Sequence, residues 1–201
     1  MNGEPRRPDI AHDLVERAQA ARRFREHLTR GRLSAEEQQW GAHQERANSG
    51  VLRRVMGQHG WPGRSLVGEE GAEAAWWLAL HADHEPPFQR LALRMLTDAV
   101  ERGEATIQQW AHLHDRCQVV AAPQLYGTQY RQDPDGQVVR LPVETPENLD
   151  ARRATVGLPP AAVAHDSLRR RYATGPHDGT DADPPDIADP VAPAVLVGSS
   201  A

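Results

Sequence analysis

Between Trp61 and Gln129 the chain alternates helically spaced apolar residues with polar side chains that a helix does not need. The polar set comprises His81, Asp83, Gln89, Asp115, Arg116, Gln124, Tyr126 and Gln129. Apolar residues at i, i+3, i+4 and i+7 build one buried helical stripe and leave polar positions for the opposite face. A chain that keeps returning polar residues next to such stripes reads as a helical scaffold holding a polar pocket. The expected fold is therefore mainly α, bundle-like, in a single domain.

The boundaries of the helices follow from punctuation. Residues 9–30 carry a broken stripe of Ile10, Leu14, Val15, Ala18, Ala21 and Leu28, and Gly31 stops it. Ser34 followed by Glu36 and Glu37 is a helix start, the hydroxyl serving as N-cap. That second helix is expected to reach about 54 or 57 in spite of Gly41 and Asn48-Ser49-Gly50. Gly60-Trp61-Pro62-Gly63 is a loop. An Ala-rich helix follows at about 69–82, its small face of Ala72, Ala75, Ala79 and Ala82 admitting close approach by another helix. Pro86-Pro87 starts the next, about 87–102, with Phe88, Leu91, Ala92, Met95 and Ala99 inward. Another runs from Ala105 or Thr106 to about Val120. A small β-hairpin is expected near 126–143, because Asp135-Gly136 lies between two β-prone runs. Short helices at 148–156 and 161–173 complete a domain spanning 1–174.

Composition narrows the classes of function. All 23 basic residues are Arg, which reads as the coding bias of a GC-rich genome and points to specialised metabolism. Residues 177–201 hold five Asp and no Arg, and without them 23 acidic side chains face 23 basic ones. The net charge of −5 thus belongs to the tail, and a neutral body offers no electrostatic footprint for nucleic acid. Segment 175–201 has the Asp/Pro composition of a disordered tail. Its apolar Ala194-Val195-Leu196-Val197 end makes 191–201 a candidate docking peptide for a protein partner. No run reaches the ~20 apolar residues of a membrane span, and no apolar leader precedes Ile10, so a cytoplasmic location is expected. Cys117, the lone cysteine, sits on the apolar side of its helix and reads as a small buried hydrophobe.

His81 and Asp83 carry the sharpest chemical signal. Histidine titrates near neutrality and can move protons. His81 also shares a face with Trp77, Leu78 and Ala74, and at i, i+3 it could pair with His84 on a metal. A third ligand would have to come from elsewhere, and no metal is expected. The plain alternative is a histidine favoured by the dipole at a helix C-terminus. Gln124, Tyr126, Thr128 and Gln129 form a second cluster able to hold a polar ligand, or to tie the hairpin down. Asp115-Arg116 reads as a structural ion pair with neighbours. Of Trp76 and Trp77, one is expected in the core and one at a cleft or interface, so a homodimer enters among the candidate assemblies.

The chain resembles the DUF6624 family, a domain of unknown function, over about 61–160. The resemblance lies in Trp61-Pro62, Ser65, Val67-Gly68, His81, Asp83, Gln89, Asp115-Arg116, Gln124, Tyr126, Gln129, Pro142, Glu144, Asp150, Arg152-Arg153 and Val156-Gly157-Leu158. It implies that these positions belong to one site and supplies no activity. The expected function is a cofactor-free enzyme acting on a small molecule or peptide by a hydrolytic, cyclising or isomerising step. His81, Asp83 and Tyr126 would be catalytic; Gln89, Arg116, Gln124, Gln129 and Arg152 would bind substrate. The competing expectation is a non-catalytic binding or scaffold protein working through its acidic tail.

Overall fold

The computed structural model describes residues 4–119, 121–133 and 135–173. The expected tail at 175–201 lies outside them, as does its apolar end. The chain is mainly α, with seven α-helices and one two-stranded antiparallel hairpin among the described residues. By their contacts the residues fall into two compact units, Met1–Cys117 and Gln118–Ala201.

Unit 1 is helical throughout. α1 (Pro8–Thr29) begins with proline, whose missing N–H costs nothing in a first turn. α2 (Ala35–His59) starts on the expected Ser34 with a full capping box: the hydroxyl accepts from the Glu37 N–H, and the Glu37 carboxylate accepts from Ser34 N–H at 2.7 Å. It passes through Gly41 and Gly50 without a break and ends at Gly60, in the left-handed region at φ 77°. α3 (Arg64–Leu80) starts earlier than its apolar stripe implies. A first turn at 64–67 is set off by Gly68, whose φ of 73° kinks the chain before the Ala-rich run. α1 lies along α3 so closely that a Cβ on Gly71, a residue outside the predicted Ala face, would stand 3.2 Å from Ala11 Cα.

α4 (Pro86–Glu101) presents Phe88, Ala92 and Ala99 inward as expected, but Leu96 is the fully buried leucine, while Leu91 and Met95 keep partial exposure. Leu96 falls at i+4 from Ala92 and i+8 from Phe88, so the stripe runs along that row. α5 (Ile107–Gln118) opens with a reciprocal cap between Thr106 and Gln109, both bonds 3.0 Å. Trp76 and Trp77 are both buried, at 4% and 6% exposure, where one was expected in the core and one at a cleft or interface. Trp76 Nε1–H donates to Gln109 C=O at 2.8 Å, which satisfies its one polar atom in the core.

Unit 2 carries the hairpin. β1 (Tyr130–Gln132) pairs antiparallel with β2 (Val138–Arg140), Arg131 facing Val139. The strands are shorter than the β-prone runs. The turn is organised by Asp133, whose carboxylate accepts from the Asp135 and Gln137 N–H groups at 3.0 and 2.7 Å, and Gly136 takes φ 78°. A 3-10 turn (Pro146–Asn148) leads into α6 (Leu149–Thr155), and α7 (Ala161–Ala173) packs on β2. Tyr130, Val138 and Leu168 form its apolar centre. No described helix is long and apolar enough to cross a membrane.

Candidate functional site

His81 ends α3. Its backbone N–H reaches back to Trp77 C=O at 3.2 Å, and its φ of −97° and ψ of 15° turn the chain out of the helix. The imidazole folds back onto the Trp77 indole, ring centres 4.2 Å apart. It is only 3% exposed, and neither ring nitrogen has a hydrogen-bond partner among the described residues. Burial, then the guanidinium charges of Arg25, Arg116 and Arg22, hold its pKa well below the ordinary 6.5. The ring is therefore neutral. This argues against the helix-dipole reading, which needs an imidazolium at the C-terminus.

Asp83 lies two residues on, beyond the helix end. Arg116 grips it with both sides of its fork: Nε–H to Oδ1 at 2.8 Å and Nη2–H to Oδ2 at 2.6 Å. The pair is asymmetric in environment, since the Arg116 side chain is fully buried and that of Asp83 is 38% exposed. Gln89 adds an amide N–H to Oδ1 at 3.1 Å and a second to Leu80 C=O at 2.9 Å. Burial pushes the Asp83 pKa up, but the charges and bonds of Arg116, with Arg25 and Gln89, outweigh it and hold the carboxyl below its usual 3.8. Asp83 thus spends its hydrogen bonds on Arg116 and Gln89, not on orienting His81. The expected ion pair of Arg116 is found, with Asp83 as its partner.

A member of this cluster escapes the motifs altogether. Arg25, on α1, is 7% exposed. Its Nη2–H groups reach His81 C=O at 3.2 Å and Glu45 at 2.8 Å, and stand 3.8 Å from Asp83. The signal for it was present: Leu14, Ala18, Ala21 and Arg25 form one buried row of α1. A charge continuing an apolar stripe has to find a buried partner. Two guanidiniums, two carboxylates and a neutral imidazole thus meet in unit 1.

The remaining candidates lie in unit 2, where Gln124 and Arg152 bond to backbone groups. Gln124, wholly buried, donates through Nε2 to Gln129 C=O at 3.0 Å and Leu141 C=O at 2.9 Å, and its Oε1 accepts from Gln129 N–H at 2.8 Å. Gln129, equally buried, donates to Thr128 Oγ1 at 2.9 Å. Arg152 donates to the carbonyls of Leu125 (2.9 Å), Thr145 (3.2 Å) and Glu144. Tyr126 is 9% exposed, and its carbonyl accepts from Arg153 at 2.7 Å. Arg153, named in the resemblance without a role, is fully buried and also bonded to Pro159 C=O at 2.6 Å.

As for metal, His84 is exposed and bonds Ser49 Oγ at 3.2 Å through Nε2. No group of three or more His, Cys, Asp or Glu side chains among the described residues could hold a metal ion. Cys117 is half-buried, and burial raises its thiol pKa to about 11, away from nucleophile chemistry.

The chain belongs to the DUF6624 family, a family of unknown function, whose model matches residues 8–173. The match is wider than the resemblance over 61–160 and takes in α1 and α2, so Arg25 and Glu45 fall within it. No curated protein and no solved structure matches the chain.

Proposed function

We propose that the chain is an enzyme acting on a small polar molecule or a peptide, with His81 as the group that moves the proton. One observation carries the reading: a nearly fully buried imidazole with no hydrogen bond from either nitrogen among the described residues. Leaving a buried polar atom unpaired costs about 1–3 kcal/mol. A group kept in that state, neutral and within a cluster of charges, fits a catalytic base better than a packing residue. The neutral ring takes a proton from a hydroxyl, an amine or a water on the substrate. The three nearby guanidiniums disfavour the imidazolium, so the proton is handed on to a second substrate atom. Hydrolysis, cyclisation and isomerisation all have this form, and none moves electrons to a redox cofactor. Asp83 and Gln89 act by fixing Arg116 in the same cluster.

A second reading has its own observation. Gln89, Gln124, Gln129, Arg116 and Arg152 all make hydrogen bonds to protein groups. A binding or scaffold protein would use them as internal staples. The two readings part in one experiment. Wild type and His81→Gln are incubated with a metabolite extract, and consumption is followed by mass spectrometry. The enzyme reading expects at least one species consumed by wild type and about 100-fold more slowly by the variant. The melting midpoint of the variant should stay within about 2 °C. Equal consumption by both proteins, or none by wild type, would refute it.

A further inference from the structure

A groove of about 280 Å³ lies between α1 and α2, apart from the His81 ring. Its apolar wall includes Phe24, whose ring rests on the backbone of Gly41. A Cβ at Gly41 would stand 2.0 Å from Phe24 Cε2 and Cζ, so only glycine lets the ring lie that deep. Its other aromatic is Trp40, 62% exposed, whereas Trp61, Trp76 and Trp77 are all 6% exposed or less. A large indole left in water beside a concave apolar surface marks a surface that something covers.

Charge decides what that is. Three carboxylates line the groove, Asp13, Glu16 and Glu45, against the single guanidinium of Arg17. Arg17 is already bonded to Asp13 at 2.9 Å and to Asn48 Oδ1 at 3.3 Å, and Glu45 is held by Arg25. Among the described residues Glu16 meets an imidazole, that of His12 at 3.3 Å, and no guanidinium. The surplus is negative, and it lies beside an open indole face. We propose that this groove binds an organic cation, an amine or quaternary ammonium carried on an apolar body. The body covers Phe24 and the flanking alanines, and the cationic head is taken by Trp40 through its ring face and by Glu16 through charge. The head group is taken at Trp40 and Glu16, and the groove wall meets the His81 cluster only through Glu45, which Arg25 holds.

The test uses the full chain, labelled with 15N and titrated with benzyltrimethylammonium, benzyl alcohol or benzoate. The readouts are the Trp40 indole N–H resonance, assigned by its loss in Trp40→Phe, and the Gly41 amide. The expected result is saturable movement of both signals with the cation, at about millimolar concentration. Weakening by about fivefold or more is expected in Trp40→Ala and in Glu16→Gln, read at Gly41. Trp40 is exposed, so its replacement leaves the fold intact. Three results would overturn the proposal: no saturable movement up to about 50 mM cation, movement as strong with benzyl alcohol or benzoate, or unchanged affinity in both variants.

Discussion

Replacing Gln124 by leucine separates two roles that the residue type alone cannot tell apart. The wild-type amide closes a ring of three hydrogen bonds, two donated and one accepted, all between 2.8 and 3.0 Å and all to backbone groups. Leucine fills a similar volume but strips the Gln129 N–H and the Leu141 carbonyl of this partner. Gln129 C=O keeps the Leu141 N–H at 3.1 Å. Two stripped backbone groups at about 1–3 kcal/mol each, offset in part by the greater apolarity of leucine, give a loss of about 2–4 kcal/mol. With a urea m-value of about 2 kcal/mol/M, the midpoint should fall by roughly 1–2 M at unchanged slope. Gln124→Glu sharpens the test. A carboxylate can still accept from Gln129 N–H but opposes two carbonyls, so its folded-state pKa rises above the unfolded value near 4.3. A raised folded pKa gives stability at low pH that is lost as pH rises through it. Relative to wild type at the same pH, Gln124→Glu should therefore be more destabilised at pH 8 than at pH 5. If Gln124 served a ligand instead, Gln124→Leu would keep wild-type stability. A midpoint shift below about 0.3 M would refute the staple.

Three further outcomes are expected. Asp83→Asn removes the carboxylate that grips the buried Arg116 guanidinium and should cost about 3 kcal/mol in chemical denaturation, the low end for a buried pair because Asp83 is partly open to water. Because the Asp83 pKa is lowered on folding, the wild type should also lose this advantage below about pH 4, and the asparagine variant should not. His81 stays neutral in the fold while the unfolded chain protonates near pH 6.5. Wild-type stability should thus decline below that pH by up to about 1.4 kcal/mol per unit from His81, a slope that is shallower in His81→Gln in pH-dependent melts, where His84 with its lowered pKa remains. Cys117 should resist iodoacetamide at pH 7.5 in the native chain and react readily in denaturant, as followed by intact mass.

Local rules carried most of the fold. Ser34, Gly60, the Pro86-Pro87 pair and Thr106 set helix ends by chemistry that acts within four residues, and each end falls within a few positions of its signal. Asp133 and Gly136 placed the hairpin for the same reason. The misses were decided at longer range. Gly68 kinks α3 through a backbone angle that its neighbours do not announce. Leu96 rather than Met95 fills the core because the partner helices select one of two adjacent rows. Of the positions that the resemblance grouped into one site, Gln124, Tyr126, Gln129 and Arg152 belong to unit 2, while Asp83, Gln89 and Arg116 bond to one another beside His81 in unit 1. Arg25 and Glu45 lie in the same cluster but some 40–55 residues earlier, and only the stripe that Arg25 continues hinted at them. For Gln124 the sequence left ligand and hairpin tie as alternatives, and for Gln124 and Arg152 only the folded chain shows the backbone groups that they bond.

The arginines of unit 2 bear on how the chain responds to acid. The segment from Leu125 to Glu144 is fastened by Arg152 and Arg153 on carbonyls and by the Gln124 amide, and the Asp133 carboxylate acts only within the exposed hairpin turn. In unit 1 the corresponding fastening runs through Asp83 and leaves His81 neutral, so protons enter there first. Mild acid should act as a selective solvent for this chain, loosening the helices around Arg25 while the hairpin unit keeps its amide protection. Hydrogen exchange at pH 4 would resolve the two halves as separate folding units, with the titratable one opening first.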